Sequence, residues 1–157
     1  MRRFSKAGSL ALMATMACSA SEFRMSPEGQ QKAATVLKTI DTDLEATCTS
    51  GPESARFNQV TARARAELAQ LRGVVKTKAD RAAMLLIASV LMRNRERCTL
   101  IQMGADSTHE AVTYAENERQ ACATELAPWL EGKGTEELLK TPCLAEAEAA
   151  AQTLLTK

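Results

Sequence analysis

Cysteine and histidine are the side chains of this chain best suited to chemistry, and it carries five of the first and one of the second. Cys18, Cys48, Cys98, Cys122 and Cys143 include no C-x-x-C pair, the close spacing that lets thiolates converge on a metal ion, so no metal site is expected. His109 has no second histidine to share an ion and no recognisable nucleophile to activate. It reads as an exposed residue in the first turn of a helix. Carboxylates cluster at Asp41, Asp43 and Glu45 and at Glu116 and Glu118. Residues two apart point to different faces of a helix, so neither group converges as an acid–base pair. Walker, dinucleotide-binding and G-x-S-x-G patterns are absent, and no catalytic residue is expected. A helical bundle holding a small molecule, or a haem between Met and His ligands, is the competing reading; it lacks the C-x-x-C-H motif of covalent attachment. No cofactor is expected.

The first 20 residues, MRRFSKAGSLALMATMACSA, have the three parts of a secretory signal: basic start, short apolar run from Leu10 to Ala17, small residues at the end. Cleavage after Ala20 is one outcome. Thr15-Met16-Ala17-Cys18 resembles a bacterial lipobox, with Thr15 where Leu is usual. The resemblance implies lipidation of Cys18 and, with Ser19 after it, an outer-membrane address. Either route leaves four cysteines to pair. The chain is then a signal peptide over 1–20, a tether over 21–25 and a single helical domain over 26–157, in the periplasm or anchored to the outer membrane.

The fold class expected is all-α: an up-down four-helix bundle with an additional short C-terminal helix, stapled by disulfides. Hydrophobic residues make up 45% and aromatics only 3%, so the core must be aliphatic, which favours packed helices. No run alternates with period two as a strand would. Ser26-Pro27-Glu28 starts a helix through Val36, Ile40, Leu44 and Cys48. Ser50-Gly51-Pro52 breaks it, and Pro52 opens a second helix through Phe57, Ala64, Leu68 and Leu71. Thr77 with Asp80 forms a capping box for the central helix, which Gly104 stops. On that helix Met84, Ala88, Leu91, Arg95 and Cys98 share a stripe, widened by Leu85 and Met92. Ser107 with Glu110 caps a fourth helix, ended by Pro128 and the Glu131–Gly134 segment. Thr141-Pro142 opens the last.

Antiparallel helices place Cys48 and Cys98 at one end of the bundle and bring Cys122 and Cys143 together lower down. The expected disulfides are Cys48–Cys98 and Cys122–Cys143, each stabilising by about 2–4 kcal/mol.

Charge is divided along the chain. Residues 52–97 hold 10 basic against 4 acidic side chains (+6), and residues 98–157 hold 4 against 10 (−6). With the leader removed the net charge is −2, from 17 basic and 19 acidic residues, which excludes a general nucleic-acid surface. Either the two halves screen each other, or the basic residues Arg72, Lys76, Lys78, Arg81, Arg93, Arg95 and Arg97 recruit an acidic partner protein or anionic lipid. Trp129, the only tryptophan, caps the bundle end or anchors a partner. These features predict a non-enzymatic exported binding protein of the bacterial envelope, a lipoprotein that engages a partner protein as an inhibitor, immunity-type partner or accessory subunit.

Overall fold

The computed structural model describes residues 21–50 and 54–155. The leader with Cys18, and Gly51 and Pro52, lie outside them. The described residues form five α-helices and no strand: α1 (Pro27–Lys38), α2 (Ala55–Gly73), α3 (Lys78–Gln102), α4 (Glu110–Leu130) and α5 (Pro142–Leu155). A 3-10 turn at Glu137–Lys140 precedes α5.

Helix α1 starts as its residues dictate. Ser26 is the N-cap, its Oγ accepting from the Gly29 N–H at 3.0 Å, and Pro27 opens the first turn. The helical path continues beyond Lys38 as a π turn (Thr39–Leu44) and a 3-10 turn (Glu45–Thr47). The sequence explains the change of pitch. Val36, Ile40, Leu44 and Cys48 recur every fourth residue, and all four are buried. At 3.6 residues per turn such a series drifts about 40° per step around an α-helix. A π turn, closing i to i+5, takes more residues per turn and brings the series back to one face.

Helix α2 begins at Ala55, with Ser54 as the N-cap accepting from the Phe57 N–H. At the other end of the molecule α4 runs through Pro128 to Leu130, so Pro128 does not end it. The stop is Gly132, where the chain turns left-handed. The expected Ser107–Glu110 cap is replaced by His109, whose Nδ1 accepts from the Ala111 N–H at 3.2 Å. Within residues 21–25, Met25 is buried and Phe23 lies against the core, while Ser21, Glu22 and Arg24 are exposed.

Helix α3 is the shared wall, packing against α1, α2, α4 and α5. Its 25 residues span about 37 Å. Both ends are closed. At the start, Thr77 Oγ1 accepts from the Asp80 N–H while the Asp80 carboxylate accepts from the Thr77 N–H, completing the capping box. At the finish, Gly104 takes φ +93°; its N–H donates to the Ile101 carbonyl and the Ala105 N–H to the Leu100 carbonyl, both at 3.0 Å. That is the paired bonding of a Schellman stop.

The buried line on α3 is Ala79, Ala83, Leu86, Ile87, Val90, Asn94 and Cys98. Of the stripe read from sequence, Leu85, Leu91 and Cys98 are buried, whereas Arg95 is exposed and Met92 is 57% exposed. The cause is local. Residues 82–92 carry no charge, so nothing within that run marks its solvent face.

Asp80 does more than cap its own helix. It has no exposed surface, and its carboxylate accepts from three main-chain donors: Ser26 N–H at 2.9 Å, Lys76 N–H at 3.0 Å and Thr77 N–H at 3.2 Å. One buried charge thus ties the start of α1 to the start of α3. Charge-assisted bonds of this kind are the strong ones. Gly29 is part of the joint, because a Cβ there would run into Asp80 Oδ1. Asp80→Ala, which orphans the three donors, is expected to cost about 3 kcal/mol or more in urea unfolding. Gly29→Ala is expected to destabilise as well, by displacing the same carboxylate. A loss below about 0.5 kcal/mol for Asp80→Ala, the level of an ordinary surface change, would contradict this role.

Candidate functional site

Both cysteine pairs are at disulfide distance, with Cα atoms 4.6 Å apart for Cys48–Cys98 and 5.4 Å for Cys122–Cys143. The first joins the end of the α1 path to the end of α3 and closes the longer loop, for which chain entropy gives about 4 kcal/mol. The second joins α4 to the start of α5. There the Glu125 carboxylate accepts from the Cys143 and Leu144 N–H groups at 2.9 and 3.0 Å, so a side chain of α4 satisfies two of the free donors in the first turn of α5.

Arg97 lies over the Cys48–Cys98 bridge. Its Nη2 is 3.6 Å from Cys48 Sγ, pairs with Glu45 and reaches Asn94 Oδ1 at 3.4 Å; its Nε is 3.3 Å from Glu116. Glu116 also receives Arg119 and Gln120, each at 2.7 Å. Glu45, Cys48 and Cys98 place three donor atoms close together, the geometry of a metal ligand set. With the sulfurs bonded to each other neither is a thiolate, and a guanidinium faces the same atoms, so the group is built as an ion-paired bridge.

Four of the other six basic residues expected to face a partner are also paired with the protein's own acids. Arg81 holds Glu148 of α5 through two bonds of 2.9 and 2.8 Å. Arg93 pairs with Glu96 at 3.0 Å, lies 4.0 Å from Glu118 and Glu146, and sits over the Tyr114 ring. Lys76 pairs with Glu28, and Lys78 with Glu22, each at 2.9 Å. The segregation of charge along the sequence is therefore partly closed in space, with Arg81 and Arg97 meeting α5 and α4 acids and Lys76 and Lys78 meeting Glu28 and Glu22 at the start of the chain. Trp129 has no exposed surface and packs in the core, so its ring does not lie on the surface.

Arg72 and Arg95 differ from the other five cations: among the described residues neither has an acidic partner. Arg72 lies in the last turn of α2. Arg95 lines a groove of about 600 Å³ between α2 and α3, together with Leu68, Leu91, Met92, Leu100 and a second unpaired cation, Arg65. Apolar surface dominates the lining, and Met92 opens it to solvent. Arg65 was not singled out by sequence; the signal available was its position three residues before Leu68 on α2, on the same side of the helix. Ala88 and Arg95, read from sequence as part of the core stripe, instead face this groove, while Leu91 is buried and forms its floor.

Comparisons with protein-family models, curated proteins and solved structures return no match.

The internal pairs set the acid behaviour. The Arg119 bond holds the Glu116 carboxyl below its ordinary value of 4.5, and the Arg81 bond does the same for Glu148. A depressed carboxyl contributes stability that is complete above its unfolded value and is lost as pH falls through the folded one. Asp41 acts in the opposite sense, because burial raises it above 3.8. The difference in thermal midpoint between the wild-type protein and Glu116→Gln/Glu148→Gln is expected to be widest above pH 4.5 and to close on acidification. A difference that does not change with pH would show that these two pairs contribute nothing.

Proposed function

We propose that this chain is a non-enzymatic, exported helical binding protein of the bacterial envelope, anchored through a lipid on Cys18. In this reading it engages a partner protein as an inhibitor, immunity-type partner or accessory subunit. Two disulfides suit an oxidising compartment, the lipobox-like leader suits an envelope address, and among the described residues no helix is long and apolar enough to cross a membrane. The four-residue link Val74–Thr77 between α2 and α3 supports antiparallel neighbours and, with them, an up-down arrangement.

One observation carries the binding role. Five of the seven basic residues expected to face a partner are engaged with the protein's own acids, whereas Arg95, joined by Arg65, lines an apolar groove whose one acid, Glu96, is paired with Arg93. Unpaired cations beside exposed apolar surface are what a complementary interface presents before it closes. The partner surface is therefore the α2–α3 groove rather than the whole basic hairpin.

Site-specific photocrosslinking in native envelopes tests this. A photoreactive residue at Met92 is expected to give a discrete adduct, the same residue at Thr124 on α4 is expected to give none, and Arg95→Glu is expected to suppress the Met92 adduct. No adduct at Met92, or equal adducts at both positions, would overturn the assignment of the groove as the binding surface.

A further inference from the structure

Resting on the binding role proposed above, we infer that the occupant of the α2–α3 groove is an amphipathic acidic α-helix of a partner protein, with its apolar stripe on Leu68, Met92 and Leu100 and its carboxylates on Arg65 and Arg95. The packing of the chain itself supplies the shape argument. Two neighbouring helices leave a trough on each side. Helix α1 packs against both α2 and α3 on one side, burying Ala33 and Val36. The groove under discussion is lined only by α2 and α3 residues, so no helix of the described chain fills it. A third helix seats in such a trough by placing its side-chain ridges between those of the two beneath it.

Three observations separate this occupant from others. A pocket for a small molecule encloses most of its ligand, whereas this groove is lined by a methionine that is 57% exposed. Methionine is also the adaptable apolar residue of helix-binding surfaces. A membrane surface calls for a cluster of free basic residues, about 4–8 of them. Here Lys76, Lys78, Arg81, Arg93 and Arg97 are held by acids of the same chain, leaving two guanidiniums in the groove. Finally, Glu96, the one acid lining the groove, is held by Arg93, so Arg65 and Arg95 together favour an acidic visitor. Guanidinium groups take carboxylates in forked, directional bonds, which fixes the register of the helix as well as its charge.

The probes are synthetic peptides of about 18 residues, long enough to span the groove as a helix. One carries Leu on a single helical face and Glu beside it. A second has Lys for every Glu, and a third has Pro at its centre. Binding is followed by fluorescence anisotropy and by gain of helical circular dichroism, with the oxidised mature protein. The Glu peptide is expected to bind about tenfold or more tightly than the Lys and Pro peptides. The protein bearing Arg65→Glu and Arg95→Glu, both exposed positions that leave the core untouched, is expected to reverse the preference and select the Lys peptide. Phosphatidylcholine vesicles containing phosphatidylglycerol are expected not to compete. Equal binding of Glu and Lys peptides, an unreversed preference in the double variant, equal binding of the Pro peptide, or displacement by the vesicles would each overturn the inference. If the Met92 adduct forms in envelopes while the peptides fail, the binding role stands and only the acidic-helix occupant falls.

Discussion

A single buried carboxylate sets the geometry of this protein. Asp80 has no contact with solvent, and its charge is compensated by main-chain N–H groups at the entry to α1 and at the entry to α3. A charge in that position is tolerated only while its donors stay in place, since an unpaired carboxylate in the interior is far more costly than a lost surface bond. Asp80 therefore fixes where two helices begin relative to each other. At the far end the same two helical paths are joined again through Cys48 and Cys98. Pinned at both ends, α3 has little freedom to rotate, and the phase of its side chains follows.

That phase decides what the surface offers. With Ala83, Leu86, Val90 and Asn94 turned inward, Met92 and Arg95 turn outward beside α2. The remaining cations of α3 meet acids of the same chain: Lys78 meets Glu22, Arg81 meets Glu148 of α5, Arg93 meets Glu96, and Arg97 meets Glu45 and Glu116. Exposed pairs of this kind contribute little each to stability, but they remove charge from the accessible surface. What is left is a groove with apolar walls and two guanidiniums. The functional reading thus descends from the packing: the same helix that organises the core also chooses which few basic residues stay available.

The sequence was legible wherever the determining contacts were local. Ser26-Pro27, Thr77 with Asp80, and Gly104 each announce a helix boundary within a few residues, and the structure uses all of them. The cysteine pairing was legible too, because helix lengths and short links leave little choice of ends. Three features resisted. The rotation of α3 was ambiguous because its middle carries no charge, so residues of the groove looked like core. The bond from Asp80 to Ser26 joins positions 54 apart and leaves no local trace. The fate of the basic residues was hidden for a related reason: which acid meets Arg81 or Arg93 depends on how α4 and α5 lie against α3. Pro128 and His109 show that a residue's usual role can mislead, since one continues a helix and the other caps it.

Amide hydrogen exchange in the oxidised protein tests the central joint most directly. Ser26, Lys76 and Thr77 all precede their helices, positions at which main-chain amides ordinarily exchange as freely as those of an open loop. If the Asp80 carboxylate binds them as described, all three will exchange only through global unfolding, at the rate of the slowest core amides of α3. Rapid exchange at these three positions, with the middle of α3 still protected, would show that the carboxylate does not hold the two helix starts together.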